Sequence, residues 1–364
     1  MDREQSLIYL AACAVNKKKP DPAILGHPDL DALLELAIFH QMAGLTAYSL
    51  EAAGISDKRF ITEKAKAVFL EITYDKERQI VLEKLEEAGI WHMPLKGVIL
   101  KEDYPQPGMR QMSDNDILID RERAGDVKEI MEGLGFETYH LGERYRDDYR
   151  KPPVLHFEMH RDLFEPEFPG EAFDRYFENI KDRLLPDEEK SFRYHLTRED
   201  FYLYMICHEY KHIAWGGIGL RALLDTYVYQ KKYAKSMDWD YISGELKKLG
   251  IQEYEKKNRR LAAKVFSKGD ISALTKDEKD MLTYFITSGV HGTMDHSIQN
   301  MARSLGIRRY VFSRILLPMD QVEERYPFFY KHKALLPFLP LYRLIRHTKN
   351  AAAEVQALLR KNKK

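Results

Sequence analysis

Cysteine is almost missing from this chain. Cys13 and Cys207 are the only two in 364 residues. They form no metal-ligand spacing and give no sign of a secreted disulfide framework. A surplus of either charge is missing too. Lys plus Arg and Asp plus Glu stand at 57 each, so no global field draws the chain to nucleic acid or a membrane surface, and any electrostatic function must come from local patches. No window approaches the roughly 18 apolar residues that a membrane span needs. The opening MDREQSLIYLAACAV carries early acids and too short an apolar run for a secretion signal. Internal repeats and low-complexity tracts are absent. What is there is an apolar share of 44%, enough for real cores in two or three units at this length. The expectation is a cytoplasmic globular protein.

Three regions separate by pattern. Residues 1–89 read as helix after helix. LDALLELAIFHQMAGLTAYSLEAAG has apolar residues at three and four spacings and ends at Gly54, and a second run extends from about Lys64 to Ala88 before Gly89. Over 90–195 the period changes. IWHMPLKG, NDILID, FETYHL and VLHFEMHRDL read as strands, with a compact helix in RERAGDVKEIMEGLG. This is an α+β pattern, a small mixed sheet with helices against it. Residues 196–364 return to helix, with capping boxes expected at Thr197/Asp200 and Thr275/Glu278. The last 34 residues carry nine Lys or Arg against one acid, Glu354. That makes a basic tail.

The chemistry concentrates in PLKGVILKEDYPQPGMRQMSDNDILID, residues 94–120. Side chains two apart on a strand share a face, so Asp114 and Asp116 point the same way. Carboxylates held that close repel unless a cation sits between them or one stays protonated. Some forty residues on, His156-Phe157-Glu158-Met159-His160 places Glu158 between two histidines on one strand face, and a neighbouring strand is a natural source for a third carboxylate. Hard oxygen ligands favour magnesium over zinc. Upstream, Lys96-Gly97 stands where a strand turns into a helix, a place for close backbone approach to phosphate, with Lys96 as a cationic contact.

LKG, then YPxPxxR (Tyr104, Pro105, Pro107, Arg110), then DxD followed by apolar residues, then HFEMH, together resemble the uncharacterised nucleotidyltransferase family of bacteria, within the DNA polymerase beta nucleotidyltransferase superfamily. The later CHEYKH and LRALLD are similar to that family's helical C-terminal part, and the likeness runs from about 30 to 345. It implies a polymerase beta-type core flanked by helical domains. It implies two magnesium ions on Asp114, Asp116 and Glu158, and a nucleotide turn at Gly97. The chain departs from the pattern at Val98, where many members have serine, and in the 16 residues between Gly97 and Asp114.

The expected activity is transfer of a nucleoside monophosphate from an NTP, ATP first among them, to an acceptor hydroxyl, with pyrophosphate released. Asp114 and Asp116 would bridge the ions. Glu158 would complete one shell or help remove the acceptor proton. Arg110 either contacts phosphate or pairs with a nearby acid. His156, His160, His208 and His212 are candidates for substrate contact. A zinc reading competes at His156 and His160, and weakly at His208 and His212, where the HExxH order is not met. Arg221 and Asp225, four apart, read as an intrahelical ion pair. The alternative to an enzyme is an inactive nucleotidyltransferase-fold scaffold, for which Val98 speaks. Nucleic acid on the basic tail is a lesser expectation.

Overall fold

The computed structural model describes residues 1–139, 141, 145–164, 171–289, 319, 322–323 and 326–346. By contacts, Met1–Lys211 with Gly219–Val290 form one compact unit, and His212–Ile218 with His291–Lys364 form a second. The basic tail beyond Arg346 lies outside the described residues.

Five helices open the first unit: α1 (Arg3–Val15), α2 (Pro22–Leu25), α3 (Leu30–Phe39), α4 (Ala43–Ala52) and α5 (Lys58–Glu87). The long periodic run before Gly54 is therefore two helices. The break comes at His40–Met42, where Gln41 takes φ 51°, outside the helical region. α5 is longer than the sequence suggests, because Asp57 caps it by accepting from the amides of Arg59 and Phe60.

The sheet follows. Its strands are β1 (His92–Pro94), β2 (Asn115–Ile119), β3 (Glu137–Tyr139), β4 (Arg146–Lys151) and β5 (Leu155–His160), in spatial order β1-β2-β5-β4-β3. β2 and β5 run parallel; the other pairs are antiparallel. α6 (Gly97–Leu100) follows β1, and α7 (Ala124–Gly133) follows β2. The charged RDDYRK segment is β4 itself, a strand that its apolar content does not announce.

Strand alternation sorts the two faces. Ile117, Ile119, Phe157 and Met159 pack with Val81 and Leu85 of α5 and with Val127 and Met131 of α7. Asp116 and Leu118, two apart on β2, take the other face. Leu118 there joins Tyr202, Leu203 and Ile206 of α9 (Arg198–Trp215). α8 (Glu171–Phe177), the short hairpin of β6 (Leu185–Pro186) and β7 (Tyr194–His195), then α10 (Leu220–Tyr233), α11 (Trp239–Lys248), α12 (Gln252–Lys268) and α13 (Lys276–Ser288) complete this unit. In the second unit, the short helices α14 (Pro327–Lys331) and α15 (Leu339–Arg346) are described. Among the described residues, no helix is long and apolar enough to cross a membrane.

The expected capping box at Thr275 and Glu278 forms in full. The one at Thr197 forms by half: its hydroxyl accepts from the Asp200 amide at 3.0 Å. The Asp200 carboxylate turns instead to Arg183 and to the Tyr241 hydroxyl.

The segment between α6 and β2 is pinned from several sides. Arg110 makes a two-pronged pair with Asp225 of α10, Nε to Oδ1 at 3.0 Å and Nη2 to Oδ2 at 2.9 Å, and the Tyr104 hydroxyl donates to the same Oδ1 at 2.7 Å. Gly108 donates its amide to Glu71 of α5. A Cβ on Gly44 would come within 2.5 Å of the Gly108 carbonyl oxygen, so α4 needs glycine there. The Arg110 and Asp225 side chains are both 8% exposed. Removing one member of such a pair strands the other charge, at a cost of about 3–5 kcal/mol. Asp225→Ala should therefore lower the urea midpoint by a loss of that size, without changing the slope of the transition.

Candidate functional site

Asp114 closes the pinned segment and Asp116 is the second residue of β2. The parallel register sets Asp116 directly opposite Glu158 of β5. Donor atoms of Asp116, Glu158 and His160 lie within 4.8 Å of one another, and so do those of Asp114, His156 and Glu158. Glu158 belongs to both groups. Glu158 thus comes near both Asp114 and Asp116, each in company with one histidine of HFEMH.

Cations hold part of this negative charge. Lys96 Nζ donates to Asp116 Oδ1 at 2.8 Å, and His160 Nε2 lies 2.7 Å from the same oxygen. Arg146 of β4 donates to Glu158 Oε2, with His160 Nε2 at 3.5 Å. Burial pushes the Asp116 carboxyl up, but Lys96 and His160 outweigh it and hold the group well below the usual carboxylate range. Asp114 goes the other way. Burial first, then the charges of Asp116 and Glu158, push it up to about 6 against the opposing pull of Lys96 and Arg221.

The donor set fits a divalent cation. Asp114 is a carboxylate with surplus negative charge around it, and the buried Nε2 of His156 has no hydrogen-bond partner among the described residues. Oxygen-dominated groups suit magnesium; the two histidines would also admit a softer ion.

Lys96 caps the start of α6 with φ 48° and ψ −116°, a strained conformation for a side chain-bearing residue and one that clusters at functional sites. Its ammonium lies on Asp116, so its cationic role is tied to the acids. Gly97 also has a steric reason to be glycine: a Cβ there would collide with Arg110 Nη1 and press on Met112 Sδ. Arg110, a candidate for phosphate contact, is engaged by Asp225, an acid remote in sequence. The expected Arg221–Asp225 pair consequently gives way: Arg221 donates to the Gln41 side chain and to the Gln111 carbonyl. The His208 ring lies 6.1 Å from Tyr204 of α9. His212, one turn on, falls in the second compact unit.

Several contributors escape a reading of the sequence. Arg146 comes to Glu158 only through the β4 register, and Tyr204 presents a buried hydroxyl with no hydrogen-bond partner among the described residues. The Tyr145 ring stands 5.6 Å from His160 and its hydroxyl accepts from Lys211 at 3.1 Å. Arg146 and Arg150, four apart and so on one strand face in RDDYRK, were the available signal.

The family model described as uncharacterised nucleotidyltransferase matches residues 26–267 of the chain. No curated protein and no solved structure matches.

The raised Asp114 carboxyl has a defined pH signature. An ordinary carboxyl loses its proton near pH 4, so the folded chain holds this one more tightly, and stability falls as pH rises from about 4 to about 6. Asp114→Asn should raise stability by up to about 3 kcal/mol at pH 7.5 in EDTA. The gain should vanish near pH 4, as read by urea denaturation.

Proposed function

The chain belongs to the uncharacterised nucleotidyltransferase family, and on that premise we propose that it is a magnesium-dependent enzyme of the polymerase beta type that moves a nucleoside monophosphate from an NTP, with ATP the first donor to test, onto an acceptor hydroxyl. The observation that carries this reading is the pair of three-donor groups sharing Glu158. A shared carboxylate between two donor groups suits two ions acting on one phosphate.

In the reaction, a bond forms between the acceptor oxygen and the α-phosphorus. The bond from that phosphorus to the bridging oxygen breaks, pyrophosphate leaves with the electron pair, and the hydroxyl proton passes to solvent. Such transfers need mainly positioning and charge neutralisation. Magnesium held by Asp114, Asp116 and Glu158 would supply electrophilic polarisation of phosphate and acceptor oxygens. The chain's own part is rigidity. Lys96 and His160 fix the Asp116 carboxylate, and Arg146 fixes Glu158. The hydrogen-bonded strands beneath keep the acids from relaxing apart.

The division into an N-terminal helical region, a core over 90–195 and a C-terminal helical domain belongs to the same proposal.

The test is intact-mass screening of candidate acceptors incubated with magnesium and each NTP, with pyrophosphate release followed in parallel. A nucleotide-sized adduct is expected, and Asp116→Ala or Glu158→Ala should cut its rate by more than about 100-fold, the upper range for residues that only support a metal ligand. Absence of magnesium and ATP binding by calorimetry would leave the scaffold alternative standing. Stoichiometric zinc in protein purified without added metal would redirect the assignment to zinc.

A further inference from the structure

Arg221 lost the partner its spacing suggests. Both oxygens of Asp225 are held by Arg110, with Tyr104 also on Oδ1. Arg221 instead sends Nη1 to the Gln41 side chain and, at 2.6 Å, to the carbonyl oxygen of Gln111. Gln111 stands three residues before Asp114 in the same pinned segment. Nε and Nη2 of Arg221 have no hydrogen-bond partner among the described residues, and no carboxylate pairs with its guanidinium there.

We infer that Arg221 binds the pyrophosphate portion of the nucleotide, its β and γ phosphates, through the two guanidinium nitrogens that Gln41 and Gln111 leave open. The inference rests on the nucleotidyl-transfer reading and names the group that receives the leaving phosphates.

Four features support it. The half-buried Arg221 guanidinium has no acid within ion-pair distance among the described residues, which leaves two of its donors for an arriving anion. Burial, with Arg110 close by, pushes this group down to about 10, while Asp225 and Asp114 draw it back; the charge is felt at Asp114 in return. The planar fork matches phosphate oxygens in pairs. Its first prong is anchored to backbone next to the acidic centre, so the other two are oriented in advance. Arg221 also stands in the first turn of α10, where the helix end is positive. Gly219, just before that turn, sets the approach: a Cβ there would lie 2.7 Å from the Gly289 carbonyl carbon and 2.9 Å from His40 Nδ1.

The experiment is calorimetric binding of inorganic pyrophosphate and, separately, of AMP, both in magnesium, to the full chain and its Arg221→Met and Arg221→Lys variants. For Arg221→Met, pyrophosphate should bind about 10- to 100-fold more weakly, the range for losing charge-assisted hydrogen bonds, while AMP stays within about twofold. Arg221→Lys keeps a cation without the fork and should fall between, which preserves the test should the methionine variant fold poorly. Unchanged pyrophosphate affinity in both variants overturns the inference, as does an equal loss for AMP and pyrophosphate, which marks a purely structural arginine. A wild-type chain that binds neither ATP nor pyrophosphate fails the nucleotidyl-transfer reading itself, and this assignment with it.

Discussion

The parallel pairing of β2 with β5 is the constraint on which the rest depends. It sets Asp116 opposite Glu158 and thereby forces like charges together on one face of the sheet. A slip of one residue would turn these acids into the apolar layer and bring Ile117 and Met159 out of it. The register is held by that layer: Ile117, Ile119, Phe157 and Met159 are each 0% exposed, against α5 and α7. Hydrophobic burial on one face stabilises an arrangement that electrostatics on the other would oppose. The repulsion is offset in part by Lys96, His160 and Arg146, and the raised Asp114 carboxyl is where it remains.

A second constraint explains the long separation between Gly97 and Asp114. The intervening residues are an anchored element. Arg110 and Tyr104 bind Asp225 of α10, Gly108 binds Glu71, and the Tyr74 hydroxyl lies 2.9 and 2.8 Å from the carbonyl oxygens of Ser113 and Val154, which share its one proton. Tyr74 therefore ties the approach to β2 to the approach to β5, reinforcing the register that the acids need. The same anchoring takes Asp225 away from Arg221. One ion pair deep in the fold thus decides which guanidinium is structural and which remains open beside the acidic centre.

The extent to which this was legible follows from range. The short apolar strands, the Asp114/Asp116 spacing and the central place of Glu158 in HFEMH are local patterns, and local patterns report faces. β4 was hidden because RDDYRK lacks an apolar alternation; its place in the sheet comes from pairing with β5 and β3 and from Tyr149 and Asp147 turning inward. The break between α3 and α4 was hidden because apolar periodicity continues through His40 and Met42 while Gln41 leaves helical geometry.

By itself the sequence determined the alternation that gives β2 and β5 one apolar and one acidic face, and with it the identity of the three acids and two histidines. Those properties need only nearest-neighbour geometry along a strand. The tertiary structure alone decided which cation meets which anion. Arg110 finds Asp225, Arg146 finds Glu158 and Lys96 finds Asp116 because ionic partners are chosen by proximity and desolvation in three dimensions, and charges four apart on a helix have no claim on each other once a better-placed guanidinium is buried beside them.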